Sequence, residues 1–152
     1  MTEYADGELT EHTLDYYAQH ADGTVYYLGE DVDVYEDGQL VGHEGAWKAG
    51  EGENQAGVFM PATPEVGMVF EQERAPGIAE DRSTVLEVDV AITVAAGSFD
   101  GCMRTEDVNP LDDATEWKVY CPDVGIVREE NDEGALDLVE FAAVAPAATP
   151  VA

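Results

Sequence analysis

The chain has 152 residues, 34 of them Asp or Glu against 6 Lys or Arg, for a formal net charge of -28 with 45% hydrophobic residues. Length and apolar content suit one folded domain rather than a disordered acidic chain, while the charge repels nucleic-acid phosphates and anionic membranes and so argues against both as partners. No apolar run is long enough to span a bilayer, and the opening MTEYADGELT lacks the basic start and apolar stretch of a signal peptide.

Turn signals recur roughly every ten to fifteen residues, between segments rich in Val, Tyr, Thr and Ile, which is the punctuation of an antiparallel β protein. The first long strand carries Leu14, Tyr16 and Ala18 on one face and Asp15, Tyr17 and Gln19 on the other. A turn at Asp22-Gly23 leads into a strand over residues 24–28. After Gly29 a further strand covers 32–35, turns at Asp37-Gly38 and returns over 39–47. A glycine-rich loop over 49–57 precedes a short strand at 58–60, a Pro-bounded turn and a strand over 68–74. Residues 83–94 form a long β-branched strand, with Val85, Glu87, Asp89 and Ala91 alternating against Leu86, Val88, Val90 and Ile92, one face acidic and the other apolar. Segments 98–108, 115–121, 125–130 and 136–141 complete the set. No segment of useful length has a helical period. The fold class is therefore all-β, an antiparallel meander of about nine or ten strands forming a barrel or a two-layer sandwich. Residues 1–142 are read as a single β domain, and 143–152, AVAPAATPVA, as an Ala/Pro-rich flexible tail.

The acids are interleaved with apolar residues instead of clustered in a tail. A surface adapted to salt, a cation-binding protein and a mimic of DNA all remain readings of that charge, and the interleaving favours the first. The two cysteines add a second inference. A hairpin closed by the loop NPLDDAT sets Cys102 directly opposite Cys121, with Met103 across from Tyr120 and Glu106 across from Trp117. Opposite positions suit a disulfide, so a Cys102–Cys121 bridge is expected over two free thiols, and with it an oxidising compartment: outside the cell, in the periplasm or at the cell surface.

The segment GEDVDVYEDG fails as a calcium loop: counting from Asp31, Asp33 fits, but Tyr35 and Glu36 replace a ligand and the required glycine. Period-two spacing makes Asp31 and Asp33 wet-face strand residues instead. His12, His20 and His43 are the only imidazoles, and no HxH or HExxH spacing occurs. A metal site would have to use His43 with Glu44, which a straight strand would point to opposite faces. There is no GxSxG elbow, and GEGENQAG lacks the lysine and helix of a phosphate loop. The aromatics concentrate in the first half, and Tyr27, Trp47 and Phe59 are the candidate lining of a ligand cavity if the sheet closes.

The segments GTVYYLGEDVDVYEDGQLVGHEGAWKAG, GVFMPATPEVGMVFEQERAPGIAED and VYCPDVGIVRE resemble a family of uncharacterised bacterial secreted or lipoprotein-type β domains, over about Glu8 to Phe141. The resemblance implies export and a β architecture, and no reaction. Two departures from the family pattern are a first strand absent or reduced to MTEYA, which would mean an open edge or a truncated start, and a cysteine at position 121.

The expected function is thus that of an exported, salt-adapted acidic β domain with a binding or structural role, its partner a small molecule, an apolar one in a barrel interior, or a cell-surface component. No cofactor is called for. The alternatives are a metal-dependent enzyme centred on His43, using a transition metal, and a module stabilised by Ca²⁺.

Overall fold

The computed structural model describes residues 1–111 and 114–142, so the expected tail over 143–152 lies outside the described residues. Among the described residues there are twelve strands and no helix, in two antiparallel six-stranded sheets. The all-β expectation holds.

The first sheet starts with β1 (Thr2–Ala5), so the segment MTEYA does form a strand. It pairs with β2 (Glu8–Gln19) through an Asp6-Gly7 turn whose residues both have positive φ, the geometry that Asp-Gly hairpins favour. β2 pairs in turn with β3 (Val25–Glu36). The two strands expected on either side of Gly29 are one. Gly29 sits at a register shift with φ 121°, and a side chain there would collide with the backbone carbonyl of Trp47. The glycine therefore marks a close approach of neighbouring strands within a continuous element.

Three short strands share the other edge of β3. They are β4 (Gln39–Gly42), β5 (Trp47–Lys48) and β6 (Gly57–Met60). The expected strand over 39–47 is thereby divided, because residues 43–46 leave the ladder around Gly45, which has φ 88°.

The second sheet is an uninterrupted meander of β7 (Val69–Glu71), β8 (Arg82–Val94), β9 (Gly97–Asn109), β10 (Ala114–Cys121), β11 (Gly125–Asn131) and β12 (Gly134–Asp137). Its β8 departs from simple alternation. Ser83 and Val85 are fully buried, then the register shifts between Val85 and Glu87, and beyond it the even-numbered residues are the less exposed ones. One extra residue exchanges the two faces of a strand, so Val85 belongs to the core and not to the acidic face.

Two apolar clusters hold the fold. The larger joins Tyr27, Trp47 and Phe59 of the first sheet to Val85, Met103 and Tyr120 of the second, with Ala75 and Ala79 from the β7–β8 connection. Phe59 meets Tyr120 edge-on at 5.2 Å between ring centres, an aromatic contact that ties one sheet to the other. The smaller cluster surrounds the cysteines. Met103 lies opposite Tyr120 and Glu106 opposite Trp117, and that register carries Cys102 and Cys121 together with their Cα atoms 4.2 Å apart and their sulfurs at disulfide distance. Val119 and Val127 pack on the pair, with Ile92, Phe99 and Leu138 beside it.

Candidate functional site

On β2 an acid, Asp15, lies nearer the interior than its apolar neighbour Leu14. Leu14 is 54% exposed, whereas Asp15 borders a cavity of about 180 Å³, as does the ring of Tyr17, itself 43% exposed. This cavity lies where the two sheets face each other. Glu3 of β1, Glu11 and Asp15 of β2 and Glu30 of β3 enter it from the first sheet, and Lys118 of β10 and Glu129 of β11 from the second. Gln72 and Glu73 close it from the segment after β7. Their backbone can lie there because Gly57 of β6 has no side chain: a Cβ at that position would overlap the Gln72 carbonyl.

The floor is built around an unusual pair. Asp15 and Glu30 are direct cross-strand partners, a placement that sets like charges side by side. The Tyr27 hydroxyl lies 2.8 Å from Asp15 Oδ1 and 2.8 Å from Glu30 Oε2. A phenol carries one proton. For both contacts to be hydrogen bonds, Tyr27 must donate to one carboxylate and accept from the other, which therefore carries a proton itself. Glu30 is the group suited to that role. Burial, reinforced by the nearby Asp15 and Glu11 charges, raises its pKa to about 7 against the hydrogen bond from Tyr27.

Other acids share this environment. Burial followed by the Glu11 charge lifts Glu3 to about 7, and burial followed by the Asp81 charge lifts Glu73 to about 8. Lys118 is the cationic counterweight, with Glu116 at 3.1 Å, Glu129 at 3.3 Å and Asp107 at 3.9 Å. Burial alone would push its ammonium towards neutrality, but Glu129, Tyr120, Asp107 and Glu116 outweigh burial and hold it protonated. Behind it the buried Gln72 amide donates to the Tyr120 hydroxyl at 2.5 Å, and that hydroxyl donates to Asp107 at 3.3 Å. The tyrosine is thereby oriented as a relay between sheet and connection.

An aromatic wall completes the cavity. Tyr17 stacks on Tyr27 at 5.0 Å and leans on Phe59 at 4.4 Å. Of the three aromatic residues expected to line a cavity, Tyr27 and Phe59 border this one and are 5% exposed. Trp47, 3% exposed, packs edge-on against Tyr27 at 5.4 Å and lines neither this cavity nor its neighbour. The neighbour, of about 480 Å³, shares Asp15, Tyr17, Phe59 and Ile126 as common walls and continues over Val25, Met60, Val124 and Leu138.

The His43 and Glu44 region is organised differently. His43 leaves the strand, and its Nδ1 lies 2.9 Å from Asp33 Oδ1 and 2.8 Å from the Val32 carbonyl. Its carboxylate partner is thus Asp33 of β3 rather than Glu44, whose carboxylate lies over Gly42. Asp31 is engaged at the surface by Lys48 at 2.8 Å and by the Tyr16 hydroxyl at 2.6 Å. Among the described residues, no group of three or more His, Cys, Asp and Glu is arranged to hold a metal ion, and no helix is long and apolar enough to cross a membrane.

The sequence reading did not single out Asp15, Glu30, Glu73 or Lys118. Asp15, Glu30 and Lys118 are marked in sequence only as charged residues on strands, Glu73 follows a strand, and the facing direction of β2 is not apparent from its pattern. Comparison of the chain with protein-family models, curated proteins and solved structures finds no match.

Proposed function

We propose that this protein is a non-enzymatic binding domain, exported and adapted to salt, whose inter-sheet cavity takes a small organic cation. One observation carries the proposal: carboxyl groups from both sheets and the β7–β8 connection converge on a single cavity, beside the rings of Tyr17, Tyr27 and Phe59. Carboxylates beside aromatic faces are the chemistry that recognises an ammonium group. The Lys118 ammonium, 3.3 Å from the Glu129 carboxylate of the same lining, illustrates that preference. The carboxyl lining supports a charged ligand over the apolar one expected from sequence. The Cys102–Cys121 bridge supports export, since such bonds persist in oxidising compartments. The net charge of -28 supports the salt adaptation.

The test is an NMR titration with methylammonium chloride at pH 8 and constant ionic strength. The expected result is saturable shifts at β2 and β3 amides, abolished by the double substitution Asp15→Asn, Glu30→Gln. Absence of saturation, or equal binding by the folded double variant, would overturn the proposal.

A further inference from the structure

On the inner face of β8, β9 and β10, polar side chains meet in two adjacent cross-strand rows. Ser83 pairs with Asp107, and Asp107 with Glu116. Two residues along, Val85 pairs with Thr105, and Thr105 with Lys118. Residues two apart on a strand share a face, and paired or diagonal neighbours reach one another. Ser83, Thr105 and Asp107 therefore gather at one corner of the interior, each no more than 2% exposed. None of the three lines the inter-sheet cavity or its neighbour.

The Asp107 carboxyl is engaged on one side only. Its Oδ2 accepts from the Tyr120 hydroxyl at 3.3 Å and lies 3.9 Å from the Lys118 ammonium. That ammonium is nearer to Glu116 and Glu129, so the most buried of its three carboxylates is the least neutralised. Asp107 Oδ1, Ser83 Oγ and Thr105 Oγ1 are buried and have no hydrogen-bond partner among the described residues. Burial pushes the Asp107 carboxyl above its ordinary pKa, against the Lys118 charge and the nearby Ser83, Thr105 and Tyr120 hydroxyls. Buried charges are paired or hold a cation, and buried hydroxyls are bonded. Three oxygens without partners at one corner, one of them from a carboxylate, are the ligands that a hard cation takes.

We propose that Ser83, Thr105 and Asp107 form a buried site for a small monovalent inorganic cation, sodium, bound through Asp107 Oδ1 and the two hydroxyl oxygens. A single positive charge matches the single carboxylate, and the Lys118 ammonium on its other oxygen opposes a divalent ion. The enclosed corner suits a bare ion and not an organic ammonium, so this site is distinct from the inter-sheet cavity and does not depend on it. Sodium binding to the folded chain adds an ion-specific stabilisation to general screening, which depends on ionic strength alone.

The test compares NaCl with CsCl at equal ionic strength and pH 8, where screening is the same and only the smaller ion fits the corner. The expected result is a melting temperature several degrees higher in NaCl, with a saturable rise as sodium replaces caesium. The same exchange, followed by amide NMR of the unaltered protein, should shift Ser83, Thr105 and Asp107. Ser83→Ala and Thr105→Val each remove one hydroxyl ligand with little change in volume. Both variants should melt cooperatively in CsCl and lose most of the sodium response. Equal melting temperatures of the unaltered protein in the two salts would overturn the proposal and leave the Asp107 charge to a proton. Amide shifts confined to other residues, or a sodium response unchanged in both variants, would place the ion elsewhere and overturn it too.

Discussion

The two ends of the interior are built on opposite principles. Around Cys102 and Cys121, buried Val119 and Val127 pack on a covalent cross-link, and every one of these groups favours the folded over the unfolded chain. Around Asp15 and Glu30, like charges are set opposite each other and partly removed from water, which opposes folding. A marginally stable fold retains such a feature most readily where it serves a purpose. The contrast teaches that the stabilising end and the chemically capable end are separate, so each can be perturbed without the other.

The largest expected effect falls on the stabilising end. Replacing both cysteines, Cys102→Ala with Cys121→Ala, removes a link closing a loop with a sequence separation of 19 residues. Denaturant unfolding should register a loss of about 3 kcal/mol, with the methylammonium response retained. An unchanged midpoint would mean the bridge contributes nothing to stability and would erase the contrast.

Next in size is the pH dependence of the acid end. Glu3 and Glu30 have folded-state pKa values raised from 4.5 to about 7, and Glu73 from 4.5 to about 8. A raised carboxyl pKa contributes stability that is complete below the unfolded value and is lost as pH climbs through the folded one. These groups therefore make the protein more stable near pH 5 than near pH 8, by about 2 kcal/mol in total after allowance for solvent screening. Denaturant midpoints at the two pH values measure this directly. Ligand binding should follow the reverse trend and strengthen towards pH 8, because the cation and the protons compete for the same oxygens.

A smaller effect isolates one member of the group. Glu30→Gln imitates the protonated acid, keeps a donor for the Tyr27 oxygen and removes the charge facing Asp15. It should raise stability at pH 8 by about 1 kcal/mol and leave stability near pH 5 unchanged. Equal effects at both pH values would show that Glu30 does not carry the proton. The smallest difference concerns salt. Added NaCl should raise the melting temperature through screening of the net charge, and more at pH 8 than at pH 5, since more of the interior acids are ionised there.

The legible parts of this protein are those governed by neighbouring residues. The Asp37-Gly38 turn, the β-branched run of β8 and the β9–β10 register that joins the cysteines all follow from local turn chemistry and period-two spacing. The site was not legible for a related reason. Leu14 and Asp15 alternate as any half-buried strand does, with aromatic residues on both faces, so the pattern names no inner side; Leu14 is 54% exposed and Asp15 borders the cavity. A one-residue shift at Gly29 and another at Leu86 have the same consequence, because each reassigns the faces of everything beyond it.

The all-β class, the positions of most strands, the turn glycines and the cysteine pairing are encoded locally, since they depend on contacts between residues near in the chain or in one hairpin. Which face of β2 is interior, that His43 meets Asp33, and that Asp15, Glu30, Glu73 and Lys118 share one cavity follow from long-range packing alone. Burial and charge coupling belong to the three-dimensional neighbourhood, and with 34 acids in the chain their spacing alone cannot mark the few that leave water.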